Sequence, residues 1–188
     1  MTVATRILVI GAAGSGMSTL GQALALKLEY RFFDADHYRW VLTDPPFQER
    51  VEPEVRIARL TDNLRAGAAV VSGCVVGWGT AIEDSFDLII FRLLDTKVRL
   101  ERLITREKRL YGKINPSFLE RTAKYDEGDL SGQIRSRAMH EAWLAERRCR
   151  VLRIEGDINL ASQIQSVLGA TIDTSIGADA DGTHHLGW

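Results

Sequence analysis

The segment from Arg6 to Leu28 constrains this chain more than any other. Arg6–Ile10 reads Arg-Ile-Leu-Val-Ile, a continuous β-branched run of the kind that forms a strand buried on both faces. It runs directly into Gly11-Ala12-Ala13-Gly14-Ser15-Gly16-Met17-Ser18-Thr19, and then into a stretch where Leu20, Leu24 and Leu28 recur at helical spacing. Strand, glycine loop and helix follow in the order that builds a phosphate cradle. The glycines let the backbone turn tightly and aim several N–H groups inward, and the helix N-terminus adds its positive end. Gly11, Gly14, Ser15, Gly16, Met17, Ser18 and Thr19 are therefore the candidate nucleotide-binding residues, with the Ser18 hydroxyl placed for magnesium. The pattern G-x-x-x-x-G-K-[S/T] is met except at Met17, where a thioether replaces the lysine that reaches the outer phosphates. A dinucleotide fingerprint is the competing interpretation. It fails because Ala13 or Met17 falls on a glycine that such a fingerprint requires.

Further along, Tyr30–Phe33, Ala68–Ser72, Phe86–Phe91 and Val151–Ile154 are short apolar runs, expected as four more strands. Between them lie expected helices at Pro53–Arg65, Thr96–Leu110 and Leu160–Leu168. Five strands alternating with helices predict an α/β fold: an open five-stranded parallel sheet with helices on both faces. A polar, basic insertion at about 111–137 is expected as a mobile lid. The expected organisation is a single domain over 1–168, followed by a frayed tail over 169–188, with His184 and His185 in solvent.

The composition narrows the functional classes. Twenty-four basic residues nearly cancel twenty-five acidic ones, so no global field favours a nucleic acid or an acidic membrane. The only cysteines are Cys74 and Cys149, too few for a disulfide framework. The N-terminal stretch has neither a signal-peptide nor an anchor pattern, and a cytoplasmic protein is expected.

Taken together, Gly11–Thr19, the strand end Phe33-Asp34-Ala35-Asp36 and the arginine-rich helix Arg99–Arg106 resemble the adenylate-kinase-like small P-loop kinases, as an atypical member lacking the loop lysine. The resemblance covers about Ile7 to Leu168. It implies ATP and magnesium as cofactors and a small-molecule phosphoryl acceptor as partner, with no nucleic acid or membrane involved. It also implies that Asp36 serves the metal or the acceptor hydroxyl, that Arg106 clamps ATP phosphates, and that Gly156-Asp157 forms an adenine-contacting loop. Asp34 and Asp36 lie two apart, on one side of the strand end; at least one of them is expected to cap a helix or turn. Arg99 is expected on a solvated helix face. Arg106, Arg121, Arg135 and Arg137 are candidates to replace the missing lysine charge, with Arg106, Arg135 and Arg137 expected to act in catalysis. Trp78 between two glycines is expected outside the core, lining an acceptor pocket with Tyr38 and Trp40. A nucleotide-binding regulator without turnover is the alternative, motivated by Met17.

Overall fold

A computed structural model describes residues 5–43, 47–128 and 135–176, with side chains to 171. Five parallel strands form one sheet in the order β2-β3-β1-β4-β5: β1 Arg6–Gly11, β2 Arg31–Asp34, β3 Ala69–Ser72, β4 Leu88–Leu93 and β5 Arg150–Glu155. The expected sheet is therefore the observed one. Strand β1 alternates between two cores, which is why it reads as an unbroken apolar run. Leu8 and Ile10 face a cluster with Leu60, Leu64, Trp78, Ile82 and Trp143; Ile7 and Val9 face Leu20, Leu24 and Val167.

The first cluster brings in α2 (Ala35–Arg39), α3 (Pro53–Arg65), α4 (Thr80–Glu83) and α7 (Arg137–Ala145), and the second brings in α1 (Met17–Leu28) and α8 (Leu160–Ile176). Helix α5 (Thr96–Tyr111) starts at Asp95, whose carboxylate accepts from the Lys97 and Val98 N–H groups, an N-cap the sequence carries openly.

Three features depart from expectation by more than one residue. Strand β4 begins at Leu88 rather than Phe86, because the Asp87 carboxylate accepts from the Thr5 and Arg6 N–H groups and closes the turn there. The insertion contains α6 (Pro116–Ala123), with Asn115 as N-cap and Pro116 in its first turn. Helix α8 continues past Leu168 to Ile176: Ala170 and Thr171 are buried, and Arg150 Nη1 donates to the Ala170 carbonyl at 2.6 Å. Residues 177–188, including His184 and His185, lie outside the described residues. Among the described residues no helix is long and apolar enough to cross a membrane.

Under the base of the insertion, His140 is fully buried, shares a 2.6 Å hydrogen bond with the Tyr125 hydroxyl, and meets the Phe91 ring edge-on. Burial, followed by the nearby Arg135 charge, pushes its pKa down from 6.5 to about 4, and Glu141 opposes this only weakly. The unfolded chain therefore binds a proton at higher pH than the folded one. The stabilisation is complete above about pH 6.5 and is lost as pH falls toward 4. We expect a loss of about 3 kcal/mol over that window in urea titrations, much reduced in His140→Gln, which keeps an amide partner for Tyr125 but does not titrate.

Candidate active site

All five strands run the same way, so their carboxyl ends form one rim where the loops collect, the usual ligand position in open α/β sheets. The register puts Gly11 opposite Arg92, Asp34 opposite Ser72, and Leu93 opposite Glu155. The phosphate loop, the two aspartates, the 73–79 loop and Gly156-Asp157 therefore all lie along that rim.

Close packing requires the loop's glycines. A Cβ on Gly11 would lie 2.5 Å from the Arg92 carbonyl oxygen, and one on Gly14 would lie 2.7 Å from the Arg99 carbonyl oxygen. Gly16 is different: its φ of +90° is left-handed, yet a Cβ there would meet only Arg102 Nη1, at 3.9 Å. Helix α1 begins immediately after it with no side-chain cap and no acid in its first turn, so its leading N–H groups stay available to an anion. Ser18 and Thr19 are exposed at that terminus. Ser15 is buried, and its Oγ has no hydrogen-bond partner among the described residues.

Ser18 Oγ donates to Asp34 Oδ2 at 3.0 Å, and Asp34 Oδ1 accepts from the Asp36 N–H at 2.9 Å. Asp34 is thus both the expected cap, for α2, and the carboxylate nearest the Ser18 hydroxyl. Asp36 projects from the first turn of α2 and accepts from Arg135 Nη2 at 2.9 Å. One helical turn on, the guanidinium of Arg39 is buried. Its Nη2 donates to the Cys74 carbonyl at 2.8 Å, while its Nε lies 4.0 Å from Asp36 and makes no hydrogen bond among the described residues. Burial, followed by the Arg135 charge, lowers the pKa of Arg39, and Arg56 adds to the repulsion. Burial also raises that of the Cys74 thiol, which stays protonated.

Trp78 belongs to the core, contrary to expectation: it is 1% exposed, and the guanidinium carbons of Arg39 and Arg56 lie 5.5 and 5.0 Å from its ring centroid. The flanking glycines turn the chain so that the indole enters the first cluster. Tyr38 is also core, its hydroxyl accepting from Asn63 Nδ2 at 2.8 Å, whereas half-buried Trp40 packs on Phe47 and Arg50.

The three helix-face arginines separate in role. Arg99 is not solvated but 1% exposed. It donates to the Leu94 and Thr122 carbonyls and pairs with Asp126 at 2.7 Å, pinning the insertion to α5. Arg102 overhangs the phosphate loop and pairs with Asp157 at 2.5 Å. Arg106 sits farther along the same groove and bonds Glu107. Arg99→Ala should cost about 3 kcal/mol in urea unfolding because Asp126 loses its buried partner, while Arg106→Ala should stay within about 0.5 kcal/mol.

Of the expected catalytic set, Asp36 and Arg135 meet. Arg137 lies 3.9 Å from Asp126 and 3.8 Å from Glu141, away from Asp36. Lys124 pairs with Glu120, and Arg121 is exposed on α6. Gly156 takes the left-handed turn after β5, and its carbonyl accepts from Arg92 Nη2 at 3.2 Å, so Gly156-Asp157 is tied to the strand facing Gly11. Sequence reasoning missed Arg39, Arg92 and Arg102 as site residues. For Arg39 the available signal was its spacing of three from Asp36 on a helix.

The comparisons agree with this fold. No protein-family model matches the chain. Among solved structures, shikimate kinase from Acinetobacter baumannii in complex with shikimate superposes with a TM-score of 0.57 at 16% identity, covering 92% of this chain and 95% of that one. A gluconokinase from Sinorhizobium meliloti 1021 gives 0.52 at 19% identity, covering 92% and 94%. Both share the fold of this chain, that of small P-loop kinases. In sequence, shikimate kinase 2 of Erwinia tasmaniensis is 62% identical over a 32-residue segment, 17% of this chain and 18% of its own. The uncharacterized protein YqaC of Bacillus subtilis is 36% identical over 170 residues, 85% of this chain and 93% of its own length. The chain belongs to the family of that Bacillus protein.

Proposed function

We propose that the chain is an ATP- and magnesium-dependent kinase transferring the γ-phosphoryl group to a hydroxyl of a small acidic metabolite. The observation carrying this reading is the placement of Asp36 beside the Ser18–Asp34 pair and among the guanidiniums of Arg135 and Arg39.

The residues fit the cofactors. Backbone N–H groups at the uncapped start of α1 suit a phosphate chain, and the Ser18–Asp34 pair offers hard oxygen ligands for magnesium, which leaves Asp36 to the acceptor. Magnesium held there would offset the charge of the phosphate groups. Asp36 then orients the acceptor hydroxyl and accepts its proton as the new O–P bond forms and the γ-phosphorus–oxygen bond to the departing ADP breaks. Arg39, Arg56 and Arg135 gather three positive charges near two carboxylates, Asp36 and Asp34, and Arg39 is buried. Such an imbalance favours an acceptor bearing a carboxylate or phosphate. Shikimate and gluconate, the compounds named for the solved relatives' ligand or activity, are acidic polyols of this kind.

ADP release, followed across a panel of hydroxy acids and sugar phosphates against their neutral counterparts, tests the assignment. Turnover with acidic members only is expected. Met17 favours a second reading, a nucleotide-binding regulator. ATP binding with no magnesium-dependent ADP release on any panel member would establish that reading instead.

A further inference from the structure

Met17 leaves the phosphate loop without its usual cation, and its side chain packs against the second core cluster. The described neighbours nevertheless include a cation at that position. Arg102 Nη1 lies 3.9 Å from where a Gly16 Cβ would stand, on the side of the loop that is otherwise open. Beneath it, Arg92 is 1% exposed, donates to the Ile154 and Gly156 carbonyls, and keeps an Nε with no hydrogen bond among the described residues. The carboxylate facing this pair is Asp157, which bonds Arg102 at 2.5 Å. Two guanidiniums against one carboxylate leave a net positive charge beside the uncapped N-terminus of α1. The Arg102–Asp157 bridge itself is about half exposed, 43% and 52%, so it is weakly held and readily exchanged for a better anion.

We propose that Arg102, reaching the loop from α5, supplies the bound nucleotide's phosphates with the positive charge that Met17 lacks, exchanging Asp157 for a phosphate oxygen. This rests on the nucleotide-binding reading above and extends it to a residue outside the loop. Arginine suits the task because its planar fork can engage two phosphate oxygens while remaining charged.

The test is calorimetry on the full chain with three probes: magnesium-ADP, inorganic tripolyphosphate and adenosine. Arg102→Ala should weaken ADP and tripolyphosphate by about ten- to a hundredfold, the scale of one charge-assisted contact, and leave adenosine unchanged. Met17→Lys in the Arg102→Ala background should restore most of that loss, since both groups serve one charge. Asp157→Asn should tighten tripolyphosphate several-fold by releasing Arg102, a gain that misfolding cannot mimic. Weakened adenosine binding with unchanged tripolyphosphate would make Arg102 a base contact and overturn the proposal. Equal affinities in parent and Arg102→Ala would do the same while leaving the nucleotide site standing. A parent that binds none of the three probes would remove the nucleotide reading and this inference together.

Discussion

Asp36→Asn is expected to lower kcat by about a thousandfold while the Kd for magnesium-ATP changes by no more than about threefold. The substitution preserves shape and the hydrogen bond to Arg135, but removes the charge that can take a proton from the acceptor. A positioned general base contributes roughly a hundred- to ten-thousandfold. ATP should be little affected, because the Ser18 hydroxyl is bonded to Asp34 rather than Asp36. The acceptor KM should not rise: with Asp36 neutral, Arg39 and Arg135 lose their shared counter-ion and attract an anionic acceptor more strongly. Steady-state kinetics on an acceptor found by the panel would separate these parameters. Turnover equal to the parent at saturating substrates would reduce Asp36 to a tether for Arg135.

The phosphate loop and the five-stranded parallel sheet were legible in the sequence because both follow from local patterns. A β-branched run before glycines and a leucine repeat after them allow few alternatives, and parallel strands with short helical crossovers lead to one kind of sheet. That one of Asp34 and Asp36 would cap was legible for the same reason, and the structure gives the role to Asp34. The arginines were harder, since spacing alone cannot tell which of Arg99, Arg102 and Arg106 is buried. That depends on what approaches from elsewhere in the chain: Asp126 from the insertion reaches Arg99, and Asp157 from the loop after β5 reaches Arg102. Trp78 misled for a related reason. Flanking glycines signal a turn but do not say which way the turn points its side chain, and here two arginines cover the indole that the turn buries. The end of α8 was missed because its anchor, Arg150, lies twenty residues away on β5.

Gly16→Val is expected to abolish measurable ATP binding, raising Kd by about a hundredfold or more, while the chain still folds. Two effects act at this position. The first is backbone strain: φ is +90° and ψ 18°, a left-handed conformation that a β-branched residue adopts at a cost of about 1–3 kcal/mol. The second is occlusion. Arg102 Nη1, at 3.9 Å, is the single neighbouring atom a Cβ would meet, so the protein itself has room for the side chain; on the proposed nucleotide-binding reading that open room, in front of the first N–H groups of α1, is where phosphate sits. Valine's methyl groups would stand in it and deny those donors to an anion. Gly14→Val provides the contrast, because its Cβ would lie 2.7 Å from the Arg99 carbonyl oxygen and 3.0 Å from Leu103 Cγ, where α5 backbone must move. Gly14→Val should therefore lose the fold, whereas Gly16→Val should keep a cooperative melt with a Tm lowered by several degrees. Calorimetry with magnesium-ATP and a thermal melt on each variant make the comparison. Parental nucleotide affinity in Gly16→Val would mean that the open face of the loop is not where phosphate binds.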